Sequence, residues 1–315
     1  MADVPVLDAA AVFTAVSPGH AIERTRLAFA RHAGGEWEMP AKLYLDSPPN
    51  GDFRAMPARG DGFAMLKWVT SFPLNSERGL AVVTGALLLS DAGTGELLAI
   101  MDCASITSLR TGAAAAVSAQ ALAGAEANAV GVIGCGVNGA WAARCLAAVG
   151  YGRGICADRR PEVAERLASE LGWVAATREE AAAQDVVVTV TPGAEPVLLA
   201  SDLRPGQHLA VLGADAKGKA EVEPAALERC SLFCDDWEQA SSGGELAAGF
   251  AARVIACERV IELGAVLAGA AEGRRSEADI TLFDSTGLAI QDLAVAISVY
   301  EAWRRDEVQA TSIAI

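Results

Sequence analysis

The stretch AVGVIGCGVNGAWAA, residues 129–143, decides the fold. A short apolar run leads into three glycines, Gly134, Gly136 and Gly139, which have the spacing G-x-G-x-x-G, and a helical pattern follows. Such a triplet alone is a weak signal, but between a strand and a helix it is typical of a loop that binds the pyrophosphate of a dinucleotide. Gly134 permits the tight turn, Gly136 lets the backbone approach the pyrophosphate, and Gly139 lets helix and strand pack closely. The amide groups at the start of the helix are predicted to hold the diphosphate.

The region around this loop alternates short apolar runs with helical segments. DVVVTVT and HLAVLGAD have the pattern of buried strands, and PEVAERLASEL has that of a helix with proline in its first turn. Buried strands separated by helices are typical of a parallel sheet that is covered on both faces. We therefore predict an α/β protein in which residues 119–287 form an NAD(P)-binding domain with a Rossmann-type, doubly wound parallel sheet.

The two ends of the chain have a different pattern. Up to about residue 103 the sequence is rich in strand patterns, and AGTG is a hairpin signal between LAVVTGALLLSD and ELLAIMD. The apolar helix LAIQDLAVAISVYEAWRRDEV, which starts at Leu288, is expected to pack back on this region. Residues 1–118 with 288–315 are thus predicted to form a second, α+β domain for substrate binding and dimerisation. Its strands are apolar on both faces with too few helices to cover them, which favours a homodimer.

Composition and charge exclude several classes of function. The chain has 315 residues and a net charge of −15, without a run of lysines or arginines, so nucleic-acid binding is not expected. No apolar run reaches transmembrane length, and the first residues lack the pattern of a signal peptide. The seven cysteines are scattered, with no C-x-x-C pair, so neither a metal site nor a disulfide framework is predicted. We predict a cytoplasmic protein with no membrane partner.

The residue after the second strand of the dinucleotide unit indicates which cofactor binds. Asp158 ends GRGICAD, about 20 residues beyond the glycine loop, where an acid binds the adenosine ribose hydroxyls of NAD. Arg159 follows it directly and could hold a 2′-phosphate, so NADP remains possible. Asp158 could instead cap the next helix.

Three charged residues lie in unexpected places. Lys67 is in the apolar strand FAMLKWV, and Arg110 is in the apolar helix ITSLRTGAAAA. Lys67 needs an anion or a carbonyl nearby if it is buried, or it could reach solvent from an edge strand. Arg110 could capture a carboxylate or form a purely structural ion pair. Asp215 follows the strand HLAVLGAD, at the end where α/β sheets bind ligands, so it could move protons or merely cap a turn.

Eight stretches together resemble the ornithine cyclodeaminase/mu-crystallin family. They are GDFRAMPA, LKWV, TGALLLSDAGTGELLAIMD, ITSLRTGAAAAVSAQALA, VGVIGCGVNG, VVVTVTPGAEPVL, LGADAKGKAEVEP and TLFDSTGLAIQDLA, and they span most of the chain. The resemblance implies a substrate and dimerisation domain built from both chain ends and a central Rossmann domain.

The resemblance also implies roles for single residues. Lys67 and Arg110 match the contacts to the substrate carboxylate, with Lys67 also catalytic, and Asp215 matches the acid/base aspartate. The implied cofactor contacts are Thr111, Gly134, Gly136, Val137, Asn138, Gly139, Asp158, Arg159, Thr191, Ser285 and Gly287. Asn138 stands where members often have glutamine, and Lys217 where proline is common.

Arg54 separates the activities within the family. It resembles an ordinary loop arginine by itself, but ornithine cyclodeaminases have an acid there, and members similar to archaeal alanine dehydrogenases have arginine. We therefore predict an NAD(P)-dependent oxidoreductase that acts on a small amino acid or its imine, with hydride transfer at the α-carbon. Arg54, Lys67 and Arg110 would fix the carboxylate. The alternatives are ornithine cyclodeaminase, and a mu-crystallin-like protein that binds NADPH and a ligand without turnover.

Overall fold

A computed structural model describes residues 3–193, 195–216 and 218–315, so Lys217 lies outside the described residues. The chain divides into two compact units. The first runs to Arg110 and resumes with Leu288–Ile315, and the second is Thr111–Gly287.

Strands and helices follow one another along the whole chain. The strands are β1 (Asp3–Leu7), β2 (Leu43–Ser47), β3 (Gly51–Gly60), β4 (Phe63–Ser71), β5 (Val83–Asp91), β6 (Leu97–Asp102), β7 (Ala129–Ile133), β8 (Arg153–Ala157), β9 (Val174–Ala175), β10 (Val186–Thr189), β11 (His208–Val211), β12 (Ser231–Cys234), β13 (Val260–Glu262), β14 (Thr281–Asp284) and β15 (Thr311–Ala314). The helices are α1 (Ala9–Ala15), α2 (Pro18–Ala33), α3 (Cys103–Leu122), α4 (Val137–Ala148), α5 (Pro161–Leu171), α6 (Arg178–Ala182), α7 (Pro224–Leu227), α8 (Trp237–Gly243), α9 (Leu246–Ala251), α10 (Leu263–Leu267) and α11 (Ala289–Arg304).

The first unit contains a seven-stranded sheet in the order β15-β1-β6-β5-β4-β3-β2. Strands β2 to β6 pair antiparallel with their neighbours in sequence, and the turn between β5 and β6 is the predicted hairpin at AGTG. Asp91 holds that turn because its Oδ1 accepts hydrogen bonds from the amides of Gly93 and Thr94. Strand β2 begins at Leu43, after Pro40, which lacks an amide hydrogen.

The last helix, α11, belongs to the first unit. It packs against α2 and against strands β3 and β4, and most of its residues are buried. This burial explains why the helix is apolar around nearly its whole circumference. The inward face of β4 holds Met65, Lys67 and Val69, while Leu66 and Trp68 point to the other, exposed face.

The described part of the second unit contains an eight-stranded sheet, all parallel, in the order β13-β12-β14-β11-β10-β7-β8-β9. The strand order reverses at β7, with β8 on one side and β10 on the other. Gly131 in β7 is glycine because an added Cβ would lie 1.9 Å from the carbonyl oxygen of Ala181. The predicted α/β fold with a Rossmann-type parallel sheet is confirmed, and ligands of such sheets bind at the carboxyl ends of the strands, where the order reverses.

No described helix is both long and apolar enough to cross a membrane. Within the same part of the chain, no three His, Cys, Asp or Glu side chains are grouped so that they could hold a metal ion.

Candidate active site

The glycine loop joins β7 to α4 with the geometry that each glycine was predicted to need. Gly134 has φ of 95°, which is in the left-handed region, and an added Cβ would lie 2.4 Å from the carbonyl oxygen of Val190. A Cβ on Gly139 would lie 1.9 Å from the carbonyl oxygen of Gly134. Gly136, the N-cap of α4, has no heavy atom within 4 Å of its Cβ position. The open space at Gly136 and the amides of Val137 and Asn138 at the helix start fit a dinucleotide diphosphate.

Asp158 lies directly after β8, beside the glycine loop. Its Oδ2 accepts a hydrogen bond from the amide of Cys135 at 2.8 Å, and its Oδ1 accepts one from the amide of Arg160 at 3.0 Å. Asp158 therefore stabilises the glycine loop. Each carboxylate oxygen still has a second lone pair that could accept a hydrogen bond from a ribose hydroxyl. Arg159 is exposed. The helix-capping alternative is not realised, because α5 has Arg160 as its N-cap and no side-chain cap.

The other predicted residues of the second unit follow the carboxyl ends of its strands. Thr191 follows β10, Asp215 follows β11, and Ser285 and Gly287 follow β14, whereas Thr111 is buried in α3. Because the strands are parallel, these ends share one edge of the sheet with the glycine loop. Asp215 is partly exposed and forms an ion pair with Lys219, four residues along the chain.

Glu221, which the sequence did not single out, ties two of these loops together. Its carboxylate accepts four hydrogen bonds, from the hydroxyl of Thr189, the amide and hydroxyl of Thr191, and the amide of Gly213, at 2.6–2.9 Å. Burial raises the pKa of Glu221, and these hydrogen bonds oppose the rise. Glu221 thus fixes the chain after β10 against the chain after β11, which leads to Asp215. No pattern around Glu221 in KAEVEP distinguishes it from a surface acid.

Further buried acids hold neighbouring segments. Glu245 accepts hydrogen bonds from the amides of Glu221 and Val222, both at 2.9 Å, and burial raises its pKa to about 7. Asp235 accepts hydrogen bonds from the hydroxyl of Thr286 at 3.0 Å and the amide of Gly287 at 2.8 Å. Asp235 therefore fixes the segment that carries Ser285 and Gly287, and its position at the end of a strand was a signal that could have been used.

In the first unit, Lys67 and Arg110 share one carboxylate. Lys67 Nζ lies 2.9 Å from Oδ1 of Asp292, and Arg110 Nε lies 3.2 Å from the same atom. Lys67 also donates to the hydroxyl of Thr107 at 2.7 Å. Asp292 is fully buried on α11, and within the described residues its Oδ2 has no hydrogen-bond partner. The structural ion pair that the sequence left open as an alternative is therefore present.

The charge of this group remains positive. One carboxylate cannot neutralise both an ammonium and a guanidinium group, so Lys67, Arg110 and Asp292 carry a net charge of +1 when all are ionised. Burial lowers the pKa of Lys67, the Asp292 carboxylate opposes this, and the Arg110 guanidinium adds to it. Among the described residues Arg110 makes no further hydrogen bond, so its terminal nitrogens can serve another acceptor. An additional anion would be stabilised here.

Arg54 lies on the same inward face of the sheet. It is opposite Val69, two residues from Lys67 on the neighbouring strand, so the two side chains are diagonal neighbours. Arg54 is not in a loop but in β3, where it forms an ion pair with Asp52 and lies over the ring of Tyr44, 5.3 Å from its centroid. The expectation of an ordinary loop arginine is therefore wrong.

Comparison with known proteins identifies the family. Residues 5–307 match the sequence model of the ornithine cyclodeaminase/mu-crystallin family. The chain belongs to this family. It is 41% identical over 293 residues to the alanine dehydrogenase of Archaeoglobus fulgidus, covering 91% of each chain. It is 38% identical over 237 residues to the iminosuccinate reductase of Paracoccus denitrificans, covering 73% of this chain and 74% of that one.

A solved structure extends this similarity to the fold. The structure of an archaeal alanine dehydrogenase dimer with bound NAD has 38% sequence identity to this chain and a TM-score of 0.95, and each chain is covered completely. The family resemblance drawn from the eight sequence stretches is confirmed.

Proposed function

We propose that the protein is an NAD-dependent oxidoreductase that interconverts a small amino acid and its imine. The observation that carries the proposal is the buried group of Lys67 and Arg110 around Asp292, which has more positive than negative charge. The similarity to an alanine dehydrogenase and an iminosuccinate reductase supports the same class of reaction. Each of these relatives covers more than two thirds of the chain.

The cofactor would be held by the second unit. The amides that start α4 would bind the diphosphate, Gly136 leaves room for it, and Asp158 would accept from the ribose hydroxyls. Thr191, Ser285 and Gly287 would contact the cofactor from the neighbouring strand ends, and Thr111 from α3. When bound, nicotinamide would accept or supply a hydride.

The substrate would be held by cations of the first unit. Arg110 can present its terminal nitrogens to a carboxylate, and the ammonium group of Lys67 stabilises the same negative charge. Fixing the carboxylate also fixes the adjacent α-carbon, and positioning of this kind contributes several kcal/mol to catalysis.

Proton transfer is assigned to Asp215. Its carboxyl group would give a proton to the imine nitrogen in reduction, or take one from the water that attacks the imine carbon in the other direction. Asp215 is partly exposed and forms an ion pair with Lys219, so its carboxylate lies where a substrate or water could reach it.

We also propose a homodimer. The outward face of the sheet exposes Leu43, Leu45, Leu66 and Trp68, and Phe53 stacks on Trp68. Contiguous apolar patches of this kind mark interaction sites. The similar archaeal structure is a dimer. Light scattering should give twice the mass of the chain, and a monomer at micromolar concentration would contradict the proposal.

The decisive experiment follows NADH with candidate substrates. Reductive amination should consume one 2-oxo acid, one ammonium ion, one NADH and one proton, and yield one amino acid, one NAD⁺ and one water. Loss of NADH absorbance with pyruvate and ammonium is expected. Formation of proline and ammonia from ornithine without net change in NADH would instead establish ornithine cyclodeaminase. Tight binding of NADPH without turnover of any amino or oxo acid would favour a binding protein like mu-crystallin.

A further inference from the structure

We propose that Asp52 restricts this site to substrates with a single carboxylate. The inference rests on the proposed function, because it takes the inward face of the first unit as the substrate site. It concerns the second cation of that face, Arg54, and the acid two residues before it.

Asp52 and Arg54 form a side-on, two-point ion pair. Arg54 Nε lies 2.6 Å from Oδ1 of Asp52, and Nη2 lies 3.2 Å from Oδ2. A spacing of two residues in a strand places both side chains on the same face, so the pair follows from the strand itself. The Tyr44 ring beside the guanidinium group adds a cation–π contact that helps to orient it. Nε and Nη2 form the edge of a guanidinium group that captures carboxylates with two parallel hydrogen bonds.

The ion-paired groups on this face together carry one positive charge, which matches one substrate carboxylate. Lys67, Arg110 and Asp292 sum to +1, and the pair of Arg54 with Asp52 adds zero. A monocarboxylate would bring the sum to zero. A dicarboxylate would leave one negative charge in excess among side chains that are mostly buried, and such a charge is costly unless it is paired.

A second substrate carboxylate would also have to compete with Asp52 for Arg54. Asp52 is attached to the same strand, so it competes at a high effective concentration. Without Asp52, Arg54 could bind the second carboxylate of a dicarboxylate. Asp52 is the residue that competes with that carboxylate.

The test compares Asp52→Asn with Asp46→Asn. Both substitutions remove one negative charge at paired positions of adjacent strands, but Asp46 is exposed, whereas Asp52 forms the ion pair with Arg54. The kcat/KM values for pyruvate and for fresh oxaloacetate are measured with ammonium and NADH. Affinities of the NAD-loaded protein for lactate and malate, the corresponding 2-hydroxy acids, are measured by calorimetry.

The wild type should prefer the monocarboxylate of each pair. Asp52→Asn should lower that preference on the order of tenfold, since removing a carboxylate that competes for Arg54 is expected to be worth about one factor of ten in affinity. Asp46→Asn should change it by no more than about twofold, as for a surface substitution. Melting temperatures verify that both variants fold.

The outcomes separate the two proposals. Any of three results would overturn the role of Asp52. The preference could be unchanged in folded Asp52→Asn, it could shift only as much as in Asp46→Asn, or the wild type could prefer the dicarboxylates. Absence of turnover with either oxo acid would count against the proposed reaction, and the lactate and malate affinities would still decide the role of Asp52.

Discussion

Asp292→Asn removes the negative charge that Lys67 and Arg110 share in the first unit. The amide has nearly the same shape as the carboxylate, so α11 keeps its packing against β3 and β4. The net charge of the group rises from +1 to +2 when Lys67 stays protonated. Both cations are buried and would lose their charged acceptor.

The size of the effect follows from that burial. The side chain of Lys67 is 1% exposed and that of Asp292 is 0% exposed, so water cannot replace the lost partner. Removing one member of a buried ion pair typically costs ~3–5 kcal/mol. With a shift of ~2–4 °C per kcal/mol for domains of 150–250 residues, the melting temperature should fall by ~6–20 °C.

Thermal and urea unfolding of the wild type and the variant measure this change. The matched control is Glu301→Gln, which removes an exposed acid from the same helix and should change stability by no more than ~0.5 kcal/mol. The double variant Lys67→Met/Asp292→Asn, which restores a net charge of +1, should be more stable than the sum of the single effects predicts. If Asp292→Asn unfolds like Glu301→Gln, the shared carboxylate does not stabilise the buried cations and the reasoning is wrong.

Four further variants test the second unit. Asp215→Asn should keep NAD binding and the wild-type melting temperature but lose turnover by ~10²–10⁴-fold, and activity within about threefold of wild type would end its assignment as acid and base. Asp158→Ser should move preference from NAD toward NADP in a binding titration, because it removes a negative charge that repels the 2′-phosphate. Glu221→Gln should raise the KM for NADH and lower kcat. The amides of Thr191 and Gly213 donate to the two different carboxylate oxygens, and glutamine keeps only one oxygen that can accept. Burial lowers the pKa of His208 to about 3 from 6.5, so the unfolded state takes up the proton first as pH falls below 6.5. This difference should cost the wild type ~2 kcal/mol of stability between pH 7.5 and pH 5, and His208→Gln should not show that loss. An unchanged slope of stability with pH in the variant would contradict this.

The glycine loop could be predicted from sequence because its determinants are local. Strand, turn and helix lie within fifteen consecutive residues, and each glycine answers a steric need of its own neighbourhood. The strand end that carries Thr191 follows from the same pattern, since parallel strands gather their carboxyl ends at one edge.

Partners that are distant in sequence could not be predicted in this way. Asp292 is 225 residues from Lys67 and 182 from Arg110, and only the packing of α11 on the sheet brings them together. A signal was nevertheless present, because Asp292 is a charged residue in an apolar helix, which is the same criterion that singled out Lys67 and Arg110. Applied to all three residues, the criterion would have named Asp292 as a candidate partner for the structural ion pair that was left open.

Asp52 shows a different kind of omission, because it is local. Arg54 was interpreted only as a contact to the substrate carboxylate, although an acid two residues earlier shares its face as soon as GDFRAMPA is a strand. The interpretation assumed a loop, in which alternation does not apply.

The two units stabilise their buried charged side chains in different ways, the first with ion pairs and the second with hydrogen bonds from uncharged groups. In the first unit, cations share acids, so any change in the number of acids alters the charge that a substrate meets. In the second, Glu221, Glu245 and Asp235 are stabilised by backbone amides and hydroxyls, which position loops without adding positive charge. Selectivity for the charge of the substrate should therefore be altered by substitutions at Asp52 and Asp292, whereas substitutions at Glu221 and Asp235 should act on loop position and on cofactor binding. This division follows from which groups solvate each buried charge, because an amide dipole fixes geometry while an ionised side chain also sets the local net charge.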